Sequence, residues 1–335
     1  MQALIWEAPE LMRMGEREEP VARPGWVVMR VGAVGICGSE LGAYLGHNEL
    51  RVPPLVMGHE WAGEVVAVGS TADEPLIGRT MTANPLISCG QCRACRRGER
   101  QLCPERRIIG IDYPGAFAER VAVPVTALHP VPDVEAGALV EPLACAVRAV
   151  EQGRVRPGDA VLVFGAGVIG LFAAFMAQRA GAGPVAVVDP NQTRLARAGV
   201  FGASALFNPR EVDVPEALRA AVPDGFDVAI DAVGSLDTRR AAVDSARRGG
   251  RVVFIGLHEP GAALPGNRMV RDEVSVTGSF CYLDENFRVA AEMAAGGAIP
   301  DRAGWCAVRP LDAGQEAFLE QARGLAPFSK ILLTP

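Results

Sequence analysis

Val161-Leu-Val-Phe-Gly-Ala-Gly-Val-Ile-Gly170 is the stretch that decides the fold. Four apolar residues run directly into the motif G-x-G-x-x-G, formed by Gly165, Gly167 and Gly170. This order predicts a buried strand, a tight turn at Gly165 and a helix that packs closely on the strand at Gly170. Gly167 would let a pyrophosphate approach the backbone. The motif therefore predicts a dinucleotide-binding α/β domain.

The start of this helix and the end of the next strand indicate which dinucleotide binds. Amides of the first helical turn, at Val168 and Ile169, point toward a bound phosphate at the positive end of the helix dipole. Asp189 ends the next strand, 19 residues after Gly170, where a carboxylate accepts hydrogen bonds from the adenosine ribose and repels a 2′-phosphate. Arg194 is placed either to contact the same ribose or to weaken that preference. The pattern predicts NAD rather than NADP.

Strand and helix patterns alternate on both sides of the motif. The predicted strands are Ala160–Phe164, Pro184–Asp189, Ala205–Asn208, Phe226–Asp231, Arg251–Gly256 and Val274–Gly278. The predicted helices between them are Val168–Ala180, Thr193–Phe201, Pro215–Ala221 and Leu236–Arg247. Short apolar strands that alternate with helices predict a parallel sheet covered on both faces, in a doubly wound domain spanning 149–280.

The first part of the chain has a different pattern. Residues 1–148 are rich in glycine, proline and short β-prone runs such as Trp26–Val34, Gly63–Val68 and Ala118–Val123, which predict a mostly β domain. The tail, 281–335, has one helical stretch, Asn286–Ala295, and no obvious core of its own. We therefore expect the tail to rejoin the first domain.

Composition excludes several classes of protein. A chain of 335 residues with 49% hydrophobic residues can bury a large core, and a net charge of −6 argues against a nucleic-acid partner. The uncharged stretch Ala160–Ala177 contains spaced glycines and begins as a β-prone run, so a buried strand and helix are predicted instead of a membrane span. The N-terminus lacks the pattern of a secretory signal, which predicts a cytoplasmic protein whose cysteines are thiols or metal ligands.

The basic residues are almost all arginine. Among 33 lysines and arginines the one lysine is Lys330. It does not follow a glycine, which excludes a P-loop. None of the three tyrosines is followed by lysine four residues later, which excludes the Tyr-x-x-x-Lys pair of short-chain reductases. Lysine Schiff-base chemistry would depend on Lys330 alone.

Four cysteines lie close together in the first domain. Cys89, Cys92, Cys95 and Cys103 have the spacing C-x2-C-x2-C-x7-C, which suits a closed tetrahedral zinc site with a structural role. A ferredoxin-type iron–sulfur cluster needs three residues before the last cysteine, where this chain has seven. An iron–sulfur cluster and unmetallated thiols are the alternatives to zinc.

A second set of ligand-type residues is spread along the same domain. Cys37 lies in Gly35-Ile-Cys-Gly-Ser39, His59 and Glu60 follow Gly58, and Glu141 precedes Pro142. Each residue alone is also compatible with a buried structural role. Together they offer one sulfur, one nitrogen and two oxygen ligands, which suit a catalytic zinc with an open position.

These motifs occur in the order typical of the zinc-dependent medium-chain alcohol dehydrogenases. Across nearly the whole length, the chain resembles the polyol, sorbitol and threonine dehydrogenase branch, down to the ending Lys330-Ile-Leu-Leu333. The resemblance implies a GroES-like catalytic domain, a Rossmann domain, and a homodimer or homotetramer. It also implies oxidation of a secondary alcohol on a polyol, sugar, cyclitol or amino alcohol by hydride transfer to NAD.

The resemblance assigns roles to individual residues. Cys37, His59 and Glu60 correspond to ligands of the catalytic zinc, and Glu141 occupies the position where the liver-type enzymes have a second cysteine ligand. We expect Glu60 to be the resting third ligand and Glu141 to lie close, joining the metal directly or through its water. Ser39 corresponds to the hydroxyl that accepts the substrate proton. The histidine at which the family often ends this proton relay is replaced by Gly42, and His47 is the nearest histidine in sequence.

Two other functions remain to be separated from this one. A zinc-free, NADPH-dependent reductase of the same superfamily would lack both sets of metal ligands. A non-catalytic nucleotide-binding protein stabilised by zinc would keep the four cysteines but lose Cys37, His59 or Glu60. The chain has all of these residues.

Overall fold

The structure is a computed structural model that describes residues 1–47 and 50–335. The chain divides into two compact units. Unit 1 contains 1–141, 283–326 and 330–335, and unit 2 contains 142–282 and 327–329. The helix Val140–Gly153 runs across the first division, whereas the sequence pattern places that boundary at 148/149.

The strands, in chain order, are β1 (Gln2–Ala8), β2 (Leu11–Glu16), β3 (Trp26–Gly35), β4 (Trp61–Val68), β5 (Thr80–Ala83), β6 (Leu86–Ile87), β7 (Arg107–Ile108), β8 (Arg120–Pro124), β9 (Leu128–Pro130), β10 (Val161–Phe164), β11 (Val185–Val188), β12 (Ala205–Phe207), β13 (Phe226–Asp231), β14 (Ala246–Phe254), β15 (Ser275–Gly278), β16 (Cys306–Pro310) and β17 (Lys330–Thr334). The α-helices are α1 (Gly38–Tyr44), α2 (Arg93–Arg96), α3 (Val134–Ala138), α4 (Val140–Gly153), α5 (Val168–Arg179), α6 (Gln192–Leu195), α7 (Val214–Ala221), α8 (Leu236–Ser245), α9 (Gly266–Arg271), α10 (Asp284–Ala295) and α11 (Gly314–Ala322). Short 3₁₀ helices span Thr71–Leu76, Arg100–Leu102, Val125–Ala127, Ala198–Phe201 and Leu311–Ala313.

Unit 2 is built on a parallel six-stranded sheet with the order β12-β11-β10-β13-β14-β15. Every residue of β10 and β11 is buried, as expected for central strands covered on both faces. This order, with β10 beside both β11 and β13, is that of a doubly wound dinucleotide-binding sheet. The predicted fold class is confirmed.

Two helices of unit 2 are shorter than their sequence patterns predict. The segment Thr193–Phe201 divides into α6 and a 3₁₀ turn, which contains the poor helix former Gly199 and is capped by left-handed Gly202. Helix α8 ends at Ser245 because Ala246 already has extended backbone and starts β14, five residues before the predicted strand.

Unit 1 contains a seven-stranded sheet in which β3 has three neighbours. It pairs antiparallel with β4, β8 and the C-terminal strand β17. Strand β17 in turn pairs in parallel with β16. The C-terminal strand therefore lies beside the end of β3, the segment that leads to Cys37.

The uncharged stretch Ala160–Ala177 folds as β10 followed by most of α5. Across residues 1–47 and 50–335, none of the helices has both the length and the apolar composition that a membrane crossing needs.

Candidate active site

Two neighbouring strands of unit 1 bring Cys37, His59 and Glu60 together. Cys37 is the N-cap residue of α1, just after β3, and His59 and Glu60 lie directly before β4. The end of β3 lies opposite the start of β4, and the Gly35 amide donates a hydrogen bond to the Glu60 carbonyl at 2.7 Å. One ligand atom from each of the three side chains lies within 4.8 Å of the other two. This convergence forms a candidate metal site.

Glu40, in the first turn of α1, holds two of these residues in place. Its Oε1 lies 2.8 Å from His59 Nδ1 and accepts the Gly58 amide at 2.8 Å, while Oε2 accepts the Cys37 amide at 3.0 Å. Glu40 is fully buried. Because Nδ1 is engaged by Glu40, the ring of His59 is left with Nε2 for a metal.

The electrostatics of His59 favour a positive charge at this point. Burial by itself lowers the pKa of His59, but the charges of Glu40 and Cys37 outweigh it and hold the pKa well above its ordinary value. A metal ion can take the place of the proton that this environment attracts, since metal binding to histidine displaces a proton.

Glu60 provides the direct test of whether a metal fits. Its Oε1 is buried and has no hydrogen-bond partner, whereas Oε2 is in contact with Lys330 Nζ. An unpaired carboxylate oxygen in the protein interior is costly unless a cation or a donor reaches it. Thiolate, imidazole and carboxylate are all ligands that zinc accepts. The three residues fit a zinc ion with further coordination positions.

Ser39 lies beside the metal site and contacts an arginine. Its Oγ donates to Cys37 Sγ at 3.4 Å and accepts from the Arg51 guanidinium at 3.2 Å. The same guanidinium donates to the Ser39 carbonyl at 3.3 Å. Arg51 is 4% exposed, and its Nε has no partner among the described residues. A permanent positive charge therefore lies one hydrogen bond away from the predicted proton acceptor.

Glu141 and His47, two further candidates, lie outside the converging set. Glu141 is buried in the first turn of α4, and the group whose ligand atoms lie within 4.8 Å of one another consists of Cys37, His59 and Glu60. His47 is exposed, and its backbone amide bonds to the carbonyl of Gly42.

The four clustered cysteines form the second candidate metal site. Their ligand atoms lie within 4.8 Å of one another, and two of the sulfur–sulfur distances are 3.9 Å (Cys89 to Cys95) and 3.6 Å (Cys103 to Cys89). Tetrahedral zinc with Zn–S bonds of about 2.3 Å requires sulfur–sulfur separations of about 3.8 Å. Hydrogen bonds outweigh the desolvation of Cys95 and lower its pKa to about 7, which favours the thiolate. The geometry fits a closed four-sulfur site.

The glycine motif of unit 2 has the backbone geometry that its sequence predicts. Gly165 adopts a φ of +100°, and a Cβ at Gly170 would lie 1.8 Å from the Gly165 carbonyl oxygen. A Cβ at Gly167 would meet nothing within 4 Å, so the backbone there is open to a ligand. Val168 and Ile169 form the first turn of α5, where helical amides lack acceptors within the helix.

Asp189 has a structural role that its sequence position does not reveal. Its Oδ2 accepts the Ala166 amide at 2.6 Å, and its Oδ1 accepts the Asn191 amide at 2.7 Å. The carboxylate is 8% exposed and braces the glycine turn. Because an ionised carboxylate has about four acceptor positions, it can still accept a hydrogen bond from a ribose hydroxyl. Arg194 lies on α6 nearby, half-buried.

Sequence reasoning missed three residues of the site. Glu40 and Arg51 are positioned by contacts with His59 and Ser39 that no local motif indicates. Lys330 contacts Glu60 from the other end of the chain. A signal for Lys330 was present, because one lysine among 33 basic residues is an unusual choice of residue.

Comparison with known proteins agrees with this geometry. Residues 23–133 match the alcohol dehydrogenase GroES-like domain, and residues 168–296 match the zinc-binding dehydrogenase family. The two matches contain the candidate zinc ligands Cys37, His59 and Glu60, the four cysteines and the start of α5.

Individual relatives extend over most of the chain. L-galactonate-5-dehydrogenase of Escherichia coli is 32% identical over 89% of this chain and 88% of its own length. L-threonine 3-dehydrogenase of Chelativorans is 35% identical over 81% of this chain and 80% of its own. A zinc-binding dehydrogenase of Sinorhizobium meliloti, whose crystal structure contains NADP, superposes with a TM-score of 0.90 at 32% identity, covering 100% of this chain and 99% of that one. The chain belongs to the zinc-dependent medium-chain alcohol dehydrogenase family, in the branch of the polyol and threonine dehydrogenases.

Proposed function

We propose that this protein is a zinc-dependent dehydrogenase that oxidises a secondary alcohol to a ketone and transfers the hydride to NAD. The observation that carries the proposal is the convergence of Cys37, His59 and Glu60, with Glu60 Oε1 buried and unpaired. Family membership supports the reaction class, and the site residues support zinc as the metal.

The ligand set determines the charge at the metal. When bound, a zinc ion supplies Lewis acidity and lowers the pKa of a hydroxyl that reaches its open position. The Cys37 thiolate and the Glu60 carboxylate would balance its two positive charges, and His59 would bind it as the neutral ring. Glu40 holds Nδ1 of His59 and so fixes the orientation of that ring.

Ser39 is the group we assign to accept the proton of the substrate hydroxyl. The Arg51 guanidinium donates to Ser39 Oγ, and its nitrogens have no free lone pair that could accept a proton. Arg51 therefore does not continue the relay in place of the missing histidine. Arg51 instead fixes the Ser39 hydroxyl by donating to Oγ, and as Ser39 accepts the substrate proton its own hydroxyl proton passes onward to solvent.

NAD is the cofactor that the glycine motif and Asp189 favour. A bound nicotinamide supplies the hydride acceptor, and the protein supplies its position. The first turn of α5 is suited to the pyrophosphate, and the buried Asp189 carboxylate to the ribose hydroxyls. The Sinorhizobium meliloti relative contains NADP, and steady-state rates with NAD and NADP test the preference of this chain.

For the substrate we propose a secondary alcohol within a polyol, sugar, sugar acid, cyclitol or amino alcohol. The names of the galactonate and threonine dehydrogenases support this range. We further propose a structural zinc at Cys89, Cys92, Cys95 and Cys103. A homodimer or homotetramer, a cytoplasmic location and the lack of nucleic-acid and membrane partners stay predictions.

Metal analysis combined with NADH formation tests the proposal. We expect two zinc ions per chain and activity on part of a panel of polyols, sugar acids, sugar phosphates, cyclitols and L-threonine. Glu60→Ala should lower zinc affinity, whereas Glu141→Ala should keep zinc and slow turnover. Zinc loss from Glu141→Ala alone would exchange the two roles. Reduction of enones with NADPH by a zinc-free protein would favour the zinc-free reductase instead, and iron in the four-cysteine site would contradict its assignment to zinc.

A further inference from the structure

Lys330 is buried against the candidate metal ligand Glu60. Its Nζ contacts Glu60 Oε2 and donates to the Ile36 carbonyl at 2.9 Å. The side chains of Lys330 and Glu60 are 0% and 1% exposed. Gly35 makes this approach possible, because a Cβ there would lie 2.4 Å from Glu60 Oε2 and 2.6 Å from Lys330 Cε. The two charges therefore form a closely fitted pair shielded from water.

The two oxygens of the Glu60 carboxylate have different surroundings. Oε2 contacts the Lys330 ammonium, whereas Oε1 has no protein partner. Glu60 is also one of the three residues, with Cys37 and His59, whose ligand atoms lie close together. With one oxygen engaged by Lys330, the carboxylate has one oxygen left for a metal. A carboxylate without this restraint can bind a metal through both oxygens.

The choice of lysine over arginine supports the same reading. Apart from Lys330, every residue of the lysine and arginine total is arginine. A guanidinium presents a planar fork that bonds both oxygens of a carboxylate, whereas an ammonium is a compact point charge. Arginine at position 330 would compete with the metal for Glu60 Oε1, and lysine leaves that oxygen available.

On the basis of the proposed function, we propose that Lys330 is a positioning residue that limits Glu60 to binding the metal through one oxygen. This limit keeps a coordination position open for the substrate hydroxyl. The ammonium also offsets the negative charge of Glu60, the second in the ligand set after that of Cys37. Without this offset, the charge of Glu60 would weaken the Lewis acid.

The test compares Lys330→Met with Lys330→Arg, because the proposal predicts opposite effects on the metal. Lys330→Met frees both oxygens of Glu60, so zinc should be retained while kcat falls at least about tenfold. With cobalt in place of zinc, its visible absorption should weaken as the coordination number rises. Lys330→Arg should draw Glu60 away from the metal and lower zinc affinity about 10- to 100-fold, the range for partners of metal ligands.

The four-cysteine site serves as the control for folding, because it lies in the same unit of the chain. Both variants should keep that metal, whereas a variant that fails to fold would lose both. The double variant Lys330→Met with Glu60→Gln should show no weakening of the cobalt absorption beyond that of Glu60→Gln alone. Equal zinc loss in both single variants, or cobalt spectra identical to wild type, would overturn the proposal. A wild-type protein without metal at Cys37 and His59 would refute both the proposed function and the role of Lys330. An active, zinc-containing wild type whose Lys330 variants have the same zinc affinity and cobalt spectrum would refute the role of Lys330 alone.

Discussion

Glu40→Gln is the most informative single change at the candidate metal site. Glu40 accepts three N–H groups, from Gly58 and His59 at Oε1 and from Cys37 at Oε2, and it is fully buried. Glutamine has nearly the same shape, so it can keep the two bonds at Oε1. Its amide nitrogen would then face the Cys37 amide, donor against donor.

The cost follows from these contacts. Leaving the Cys37 amide buried without an acceptor costs about 1–3 kcal/mol. The bond to His59 also loses its charge and about half its strength, roughly a further 1 kcal/mol. Part of this total lowers the stability of the fold, and the remainder weakens zinc binding. We therefore expect zinc affinity at Cys37, His59 and Glu60 to fall about 10- to 100-fold. Turnover should fall with zinc occupancy and recover in excess zinc.

Competition with a chromophoric zinc chelator at fixed pH measures this affinity. Glu64→Gln is the matched control, since Glu64 lies on the adjacent strand β4 and forms a surface ion pair with Arg30 at 2.6 Å. That pair contributes little, and its loss should leave zinc binding unchanged. If Glu40→Gln binds zinc as tightly as Glu64→Gln does, Glu40 does not hold the ligands and our reasoning is wrong.

Three further predictions concern the rest of the chain. Asp189→Ser should lower kcat/KM with NAD at least about tenfold, because a charge-assisted hydrogen bond contributes about 1.5–3 kcal/mol and the bond from the Ala166 amide is lost as well. Steady-state rates with NAD and NADP measure this effect. Better use of NADP than of NAD by the wild type would contradict the prediction. Cys103→Ser should release one zinc ion and lower the unfolding temperature while the other metal is kept, as elemental analysis and thermal unfolding would show. Desolvation raises the pKa of Asp227, but hydrogen bonds from Arg247 and from the Ala160 amide outweigh it and lower that pKa. The contribution of Asp227 to stability is therefore present above its pKa in the unfolded chain and is lost as the pH falls through its pKa in the folded protein. Asp227→Asn should therefore lose about 1–3 kcal/mol in urea unfolding at pH 7, with the difference from wild type narrowing below about pH 4.

The sequence by itself determined the features that depend on neighbouring residues. The glycine motif after an apolar strand predicted the turn at Gly165 and the parallel sheet of unit 2, because a strand, a turn and a helix start are local structures. The spacing of the four cysteines predicted their convergence for the same reason. Helix ends were less predictable: Ser245 ends α8 because β14 begins to pair with its neighbour, which is a property of the sheet.

Only the tertiary structure decided how the site residues are held. The antiparallel pairing of β3 with β4 brings Cys37 to His59, and Glu40 then spans both. The addition of β17 to β3 brings Lys330 to Glu60 across 270 residues of sequence. Such contacts depend on strand order and on the burial of charge in one place, and a linear pattern records neither. The candidate metal ligands could therefore be named from the sequence, whereas the residues that position them appear only once the strands are paired.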